Sequence, residues 1–146
     1  MKLDGEWELG FNSNKGKKFR WLKARVPGDV HLDLMRAGLL EEPLFGTNVK
    51  ECYWTAETKW HYRKKFYLTM LEKDARYELT FYGLDTTCTI SLNNQEIGRH
   101  NNMFISYTID VTRYLIVGEN VILVEIDSGI NQHRDNCSIS LKNPMS

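Results

Sequence analysis

The chain has 146 residues and a formal net charge of zero at pH 7, with 19 Lys+Arg against 19 Asp+Glu. This balance argues against a nucleic-acid partner, because binding through phosphates needs a basic surplus. Hydrophobic residues make up 42% of the chain, enough to offset the entropy of folding, so disorder is excluded. The longest apolar runs, 115–117 and 121–124, are too short to cross a membrane.

The length of the chain predicts one domain, and its cysteines and first residues predict an intracellular protein. A domain of this size buries roughly 68–70% of its unfolded surface, so 1–146 is expected to fold as a single unit. The three cysteines are odd in number and widely spaced, which makes a disulfide framework a poor interpretation. The first residues are charged where a secretory signal would be apolar, which predicts a cytoplasmic protein.

One short helix is predicted in the first third of the chain. Asp29 is suited to cap its first turn, Leu34 and Ala37 have helical spacing, and Gly38 stands where a left-handed residue ends a helix. The stretch 39–59 that follows has no clean period and predicts a long ordered loop. Such loops often carry the binding residues of a rigid scaffold.

Period-two alternation of apolar residues recurs after this loop and predicts five short strands. The apolar positions, strand by strand, are Trp60, Tyr62, Phe66 and Leu68; Tyr77, Leu79 and Phe81; Cys88, Ile90 and Leu92; Ile105, Tyr107, Ile109 and Val111; and Ile122, Val124 and Ile126. Short strands at close spacing favour an antiparallel sandwich over a doubly wound parallel sheet. The segment 137–141 is either one last edge strand or the end of a longer chain.

Motifs for metal, nucleophilic or phosphate chemistry are not found in the sequence. The four histidines and three cysteines do not have metal-ligand spacing, and there is no G-x-S-x-G and no Gly-rich phosphate loop. Cys88 falls on the inward face of a strand, where a thiol behaves as a small hydrophobe. We therefore expect no metal and no cofactor.

Paired carboxyl groups would suit the hydrolysis of a glycosidic bond, but the candidate acids have simpler explanations. Glu41 and Glu42 precede Pro43 in the loop and do not point the same way. Asp85 and Asp110 stand at turns, where their side chains accept hydrogen bonds from nearby backbone N–H groups. No complete active site is predicted.

The four tryptophans are the remaining candidates for contact with a sugar, whose apolar faces stack on rings. Trp7 and Trp60 fall on alternating apolar faces, so they are expected in the core. Trp21 stays a candidate without a clear assignment. Trp54 either meets a ligand or pins the long loop to the sandwich.

Several short motifs also follow one another in a set order along the chain. They are 3–7, 26–31, Asn48, Trp54, Trp60, 62–66, 81–86, 92–94, 97–98, 102–104, Tyr107, 110–112 and 118–120. Their order resembles the N-terminal domain of family 2 glycoside hydrolases, most closely the β-mannosidases, through about residue 127. The resemblance implies an all-β jelly-roll sandwich of the galactose-binding type.

The resemblance also implies a larger parent chain, in which immunoglobulin-like domains and a (β/α)₈ barrel follow the sandwich. The barrel carries both catalytic glutamates, so the chain itself is expected to be a non-catalytic part of a retaining exo-glycosidase. Its partners are then the rest of its own parent chain and a carbohydrate substrate. Asn48 matches an asparagine that related enzymes send towards the sugar pocket, although a turn-capping role for Asn48 is also open.

Two functions from different classes remain. In the first, the chain docks on a catalytic barrel and helps to wall the sugar pocket, with Asn48 and Trp54 as candidate substrate-binding residues. In the second, it is a stand-alone carbohydrate-binding module that uses Trp54 and needs no barrel. A degenerate relic without function is the third and plainest alternative.

Overall fold

The computed structural model describes residues 1–12, 19–26, 33–34, 36–38, 59–82, 87–100, 106–126 and 139–142. Nine strands lie in these segments: β1 (Gly5–Asn12), β2 (Phe19–Val26), β3 (Trp60–Leu68), β4 (Glu78–Phe81), β5 (Cys88–Leu92), β6 (Gln95–His100), β7 (Tyr107–Asp110), β8 (Gly118–Ile126) and β9 (Ile139–Lys142). They form a six-stranded sheet in the order β2-β1-β3-β8-β5-β6 and a three-stranded sheet in the order β7-β4-β9. Every pairing is antiparallel. The expected all-β sandwich is confirmed.

The core lies between the two sheets and takes the inward-facing residues of both. Trp7 and Trp60, from neighbouring strands of the large sheet, are 1% and 0% exposed. Leu79 and Phe81 of β4 close the other side and are equally buried. The Trp7 indole Nε1 donates a hydrogen bond of 2.6 Å to the carbonyl of Leu3, which satisfies its polar end. The core prediction for both tryptophans is confirmed.

The five predicted strands are all present, and four more accompany them. β7 ends at Asp110, so Val111 lies just beyond it and is fully buried. Ile105 is outside the described residues. The open question at 137–141 resolves as an edge strand, because the backbone of β9 pairs with β4. β6 was not expected, since its sequence, 95–100, is polar and lacks alternation.

The helix prediction falls largely outside the described residues. Asp33, Leu34 and Arg36 have helical backbone, and the Ala37 N–H donates to the Asp33 carbonyl at 3.1 Å. Gly38 has a φ of 74°, the left-handed conformation expected of a residue that ends a helical turn. No helix in the described part of the chain has the length and hydropathy of a membrane span.

Candidate functional site

The two predicted substrate-binding residues, Asn48 and Trp54, lie outside the described residues. The structure does show where their segment rejoins the sandwich, at Lys59 and the first residue of β3, Trp60. Trp60 has no exposed surface, and its ring lies 5.1 Å from that of Phe11 on β1. The segment that carries both candidates is therefore anchored firmly at its C-terminal end.

That anchor lies at one end of the strands of the six-stranded sheet. We call this end of the sheet the loop end. Trp60 pairs there with Ile126, Ile126 with Cys88, and Cys88 with His100. β1 ends and β2 begins at this same end of the sheet. The connections that lie outside the described residues after β1, β6 and β8 all leave from it. The connection that carries Asn48 and Trp54 enters β3 at the same end of the strands.

An aromatic cluster lies next to the loop end, on the face of the six-stranded sheet that points away from the core. The Phe19 ring lies 5.1 Å from the Trp21 ring and 5.1 Å from the His61 imidazole. Gly10 pairs with both Trp21 and His61 and lies beneath the rings. A Cβ on Gly10 would come within 2.7 Å of Phe19 and Trp21, so the glycine allows this close approach.

Arg63 joins this cluster to the neighbouring strand. Its guanidinium lies 3.7 Å from the centre of the Trp21 ring, a cation–π contact. Arg63 also donates two hydrogen bonds to the Glu8 carboxylate, at 3.0 and 3.1 Å. The bond from Arg63 holds the pKa of Glu8 below its usual value, despite partial burial. Both partners of this fork are therefore charged and fixed in place.

His61 contributes a neutral ring at physiological pH. Burial lowers its pKa and outweighs the opposing charge of Glu125, while Lys59 lowers it further. Lys59 and Glu125 also form an ion pair at 3.0 Å beside the loop end. The outward face here is aromatic and internally charge-balanced.

His100 lies at the opposite corner of the loop end, where β6 finishes. Its ring is 4.8 Å from that of Tyr107 on β7, which joins the two sheets at this corner. Its Nε2 atom is buried without a hydrogen-bond partner among the described residues. An imidazole nitrogen at this position can take part in one hydrogen bond.

The described residues give no assembled catalytic chemistry. Asp110 accepts hydrogen bonds from the Thr112 hydroxyl and backbone N–H, at 2.6 and 3.0 Å, and these bonds lower its pKa. The turn-capping interpretation of Asp110 is therefore confirmed. Cys88 is a buried thiol, as expected. In the part of the chain that is described, no cluster of His, Cys, Asp or Glu has metal-binding geometry.

The sequence identifies only part of this outward face. Alternation in β3 places His61 and Arg63 opposite the apolar side, but it does not show that Phe19 and Trp21 lie beside them. The available signal is that aromatic and cationic residues occupy the outward positions of β2 and β3. This face is suited to contact with another protein surface or a ligand, because its polar groups already pair with one another.

Comparison with known proteins gives a consistent result. A profile of the family described as glycosyl hydrolase 2 galactose-binding domain-like matches residues 7–142. A probable beta-mannosidase of Caenorhabditis elegans is 34% identical over 130 residues, which is 89% of this chain and 14% of that protein. Beta-mannosidase B of Thermothelomyces thermophilus is 34% identical over 128 residues, covering 88% of this chain and 15% of the relative. The chain spans only a small part of these relatives.

Solved structures show the same relation. The beta-D-mannosidase of Dictyoglomus thermophilum superposes with a TM-score of 0.77 and 42% identity, over 88% of this chain and 15% of that chain. The exo-chitosanase CsxA of Amycolatopsis orientalis has a TM-score of 0.76 at 14% identity, over 98% of this chain and 20% of that chain. The second likeness is one of fold alone.

Proposed function

Because this chain belongs to the family of glycosyl hydrolase 2 galactose-binding-like domains, we propose that it is the non-catalytic N-terminal domain of a longer retaining exo-glycosidase. The parent enzyme removes terminal β-linked sugars, with β-mannosides as the expected substrates. In it, the sandwich packs on the catalytic barrel, and its loop end helps to wall the sugar pocket. The barrel supplies the two catalytic glutamates.

One observation carries this proposal. The matched region fills 89% of this chain but only 14% of the beta-mannosidase of Caenorhabditis elegans. A domain that makes up so small a part of its relatives acts within a larger protein. The 42% identity to the beta-D-mannosidase of Dictyoglomus thermophilum supports a β-mannoside over the other sugars acted on by proteins of the same fold.

The loop end supports the role given to Asn48 and Trp54. Trp60, with no exposed surface, fixes the C-terminal end of their segment to the middle of the large sheet. In the proposed enzyme the Asn48 amide hydrogen-bonds to a sugar hydroxyl and the Trp54 ring stacks on the sugar. Neither contact requires the domain itself to move a proton.

The first test is the size of the native protein in its source cells. An immunoblot with an antibody against residues 1–146 should show a band several times larger than 17.1 kDa. A band at 17.1 kDa would overturn the proposal and favour a stand-alone binding module or a relic. Sugar binding that is lost in Trp54→Ala would then support the module.

The second test is the reaction of the purified full-length protein. It should hydrolyse an aryl β-mannoside with a higher kcat/KM than the matching β-glucuronide or β-glucosaminide. NMR of the first product formed should show the β-anomer, because a retaining enzyme passes through a covalent glycosyl intermediate. Equal or better activity on the other glycosides would contradict the mannoside assignment, and an α-anomer would contradict retention.

A further inference from the structure

β8, one of the two central strands of the large sheet, is apolar on both faces along its middle. Ile122 and Val124 of β8 point inward and are 0% and 1% exposed. Val121 and Leu123 point outward and are nonetheless half-buried. A strand that is apolar on both sides is typical of a sheet covered on both faces, whereas a sheet with one face in water alternates apolar and polar residues. The middle of the outward face of β8, between Glu119 and Glu125, is therefore apolar like an interior.

The outward apolar residues of β8 continue into the aromatic cluster. A groove of about 340 Å³ runs across the sheet and is lined by Trp21, Arg63, Ser91, Asn94, Val121 and Leu123. Phe19 extends the apolar surface and is 43% exposed. Tryptophan and arginine within an apolar surface are enriched in the centres of protein–protein interfaces.

The charges around this groove are already neutralised in pairs. Three of the pairs that surround it are Arg63 with Glu8 at 3.0 Å, Lys59 with Glu125 at 3.0 Å, and Lys65 with Glu119 at 3.8 Å. The Arg63 and Lys65 pairs join two strands of the same sheet, and Lys59, the residue before β3, reaches Glu125 of β8. Covering them does not leave a single charge buried without a partner, which would be costly.

A sugar is a poorer occupant of this groove. The guanidinium of Arg63 already covers one face of Trp21, and Glu8 holds it there through two hydrogen bonds. A sugar ring stacking on that face would have to displace a fixed ion pair. A protein surface can instead extend the existing contacts.

We propose that the outward face of the six-stranded sheet, centred on Trp21, Arg63, Val121 and Leu123, is the surface on which the rest of the parent polypeptide docks. This inference rests on the proposed function, because its occupant is the chain outside the domain, which makes up most of the length of the relatives. The face borders the loop end through His61 and Phe19. The body that receives the Asn48 segment can therefore lie against the face at the same time.

Hydroxyl-radical footprinting of the full-length protein, read residue by residue by mass spectrometry, tests this directly. Phe19 of β2 and Tyr82, the residue after β4, are 43% and 45% exposed in the domain, so they form a matched pair in different parts of the sandwich. We expect Phe19 and Trp21 to be oxidised several-fold more slowly than Tyr82 in the full-length wild type. In Leu123→Lys, which places a charge at the centre of the face, their oxidation should rise several-fold.

The control is Ile116→Lys, which also replaces an apolar residue by lysine but at a 51% exposed position between β7 and β8. It should leave the oxidation of Phe19 and Trp21 unchanged. Oxidation of Phe19 as fast as Tyr82 in the wild type would overturn the docking face, whatever the variants do. If that full-length protein still hydrolyses the aryl β-mannoside, the proposed function stands and only the face is wrong.

Discussion

At the scale of single residues, Asn120 is the buried polar side chain that joins the turns beside β8. Its Oδ1 accepts hydrogen bonds from Asn93 Nδ2 and the Ile116 N–H, both at 2.9 Å. Its Nδ2 donates to the carbonyls of Ile116 and Gly118, at 2.9 and 3.2 Å. The side chain has no exposed surface, so these bonds replace all of its contacts with water.

Asn120→Ala should lower the free energy of unfolding by about 2–4 kcal/mol, because it leaves several buried groups without partners. Urea unfolding followed by tryptophan fluorescence measures the change. Asn12→Ala, at an exposed position at the end of β1, serves as the control and should change stability by less than about 0.5 kcal/mol. Similar effects of the two variants would contradict the network.

Asn48 tests the proposed function at the same scale. In the full-length enzyme, Asn48→Ala should lower kcat/KM about 10- to 100-fold, the cost of one lost hydrogen bond to a sugar hydroxyl. The melting temperature should not change, and Thr47→Ala should have normal kinetics. A variant that loses stability while keeping its kcat/KM would instead support the turn-capping role.

The sequence could predict residues whose role follows from local alternation, and it could not predict those whose partners are distant. Trp7 and Trp60 were assigned to the core correctly because each stands in an alternating apolar pattern. Glu8 and Arg63 are separated by 55 positions, so their ion pair depends on the order of strands in the sheet. The roles of Asn48 and Trp54 stay predictions.

At the scale of elements, the β5–β6 hairpin depends on two residues with left-handed backbone. Asn93 and Asn94 have φ angles of 51° and 67°, the geometry that a two-residue hairpin needs. Asn94→Val should lower the free energy of unfolding by about 1–2 kcal/mol, because a β-branched residue is strained there. Asn94→Gly relieves the same strain and should be at least as stable as the wild type in urea unfolding. A Val variant as stable as the Gly variant would contradict this account.

The two sheets approach each other closely at Gly98 of β6. A Cβ on this residue would lie 2.6 Å from the Tyr107 hydroxyl and 3.0 Å from Ile109 Cδ1. Gly98→Ala should therefore destabilise the domain by about 1–3 kcal/mol through overpacking. Thermal unfolding measures the loss, with Asn12→Ala, at an exposed position, as the control. A melting temperature of Gly98→Ala equal to that of the control would contradict the close approach.

Two of the four strands that the sequence did not predict, β6 and β2, share a physical cause, whereas β1 does alternate, with Trp7, Leu9 and Phe11 buried. β6 pairs at an edge of the sheet and has only half-buried or exposed residues, so no alternation marks it. In β2, apolar residues at Trp21 and Leu22 lie on opposite faces, which hides the period. Both strands are held by pairing with their neighbours and not by a pattern of their own.

At the scale of the whole molecule, three groups among the described residues make the fold sensitive to acid. The pKa values of His61, Glu8 and Asp110 are all lower than usual in the folded chain. The unfolded chain therefore binds protons more readily, and falling pH favours it. The contribution of His61 is complete above its ordinary pKa of about 6.5 and is lost below it, whereas the carboxylates lose theirs below about pH 4.

His61→Gln should remove the loss of stability below about pH 6.5 and leave the loss below about pH 4. The free energy of unfolding, measured by urea titration at pH 7.5, 5.5 and 3.5, should fall between pH 7.5 and 5.5 in the wild type and remain nearly level in the variant. Both proteins should lose stability between pH 5.5 and 3.5. An equal loss in both proteins over the upper interval would assign it to another group.

The class of the fold could be predicted from period-two alternation, but the arrangement of its strands could not. Alternation identifies which residues face inward, yet the order β2-β1-β3-β8-β5-β6 depends on contacts between distant parts of the chain. The outward face of the large sheet combines residues of several strands, so it cannot be identified until that order is known. The assignment of 1–146 to a single domain stays a prediction.

The position of β9 has a consequence for how the polypeptide emerges from the ribosome. β4 forms the middle of its sheet, with β7 on one side and β9 on the other. The backbone of β4 has no partner on its second side until Leu141, which pairs with Leu79, has been synthesised. Until then the nascent chain carries an open strand edge that other chains can join. A truncated gene product that stops before Ile139 should therefore aggregate, and a soluble expression fragment should extend past Lys142.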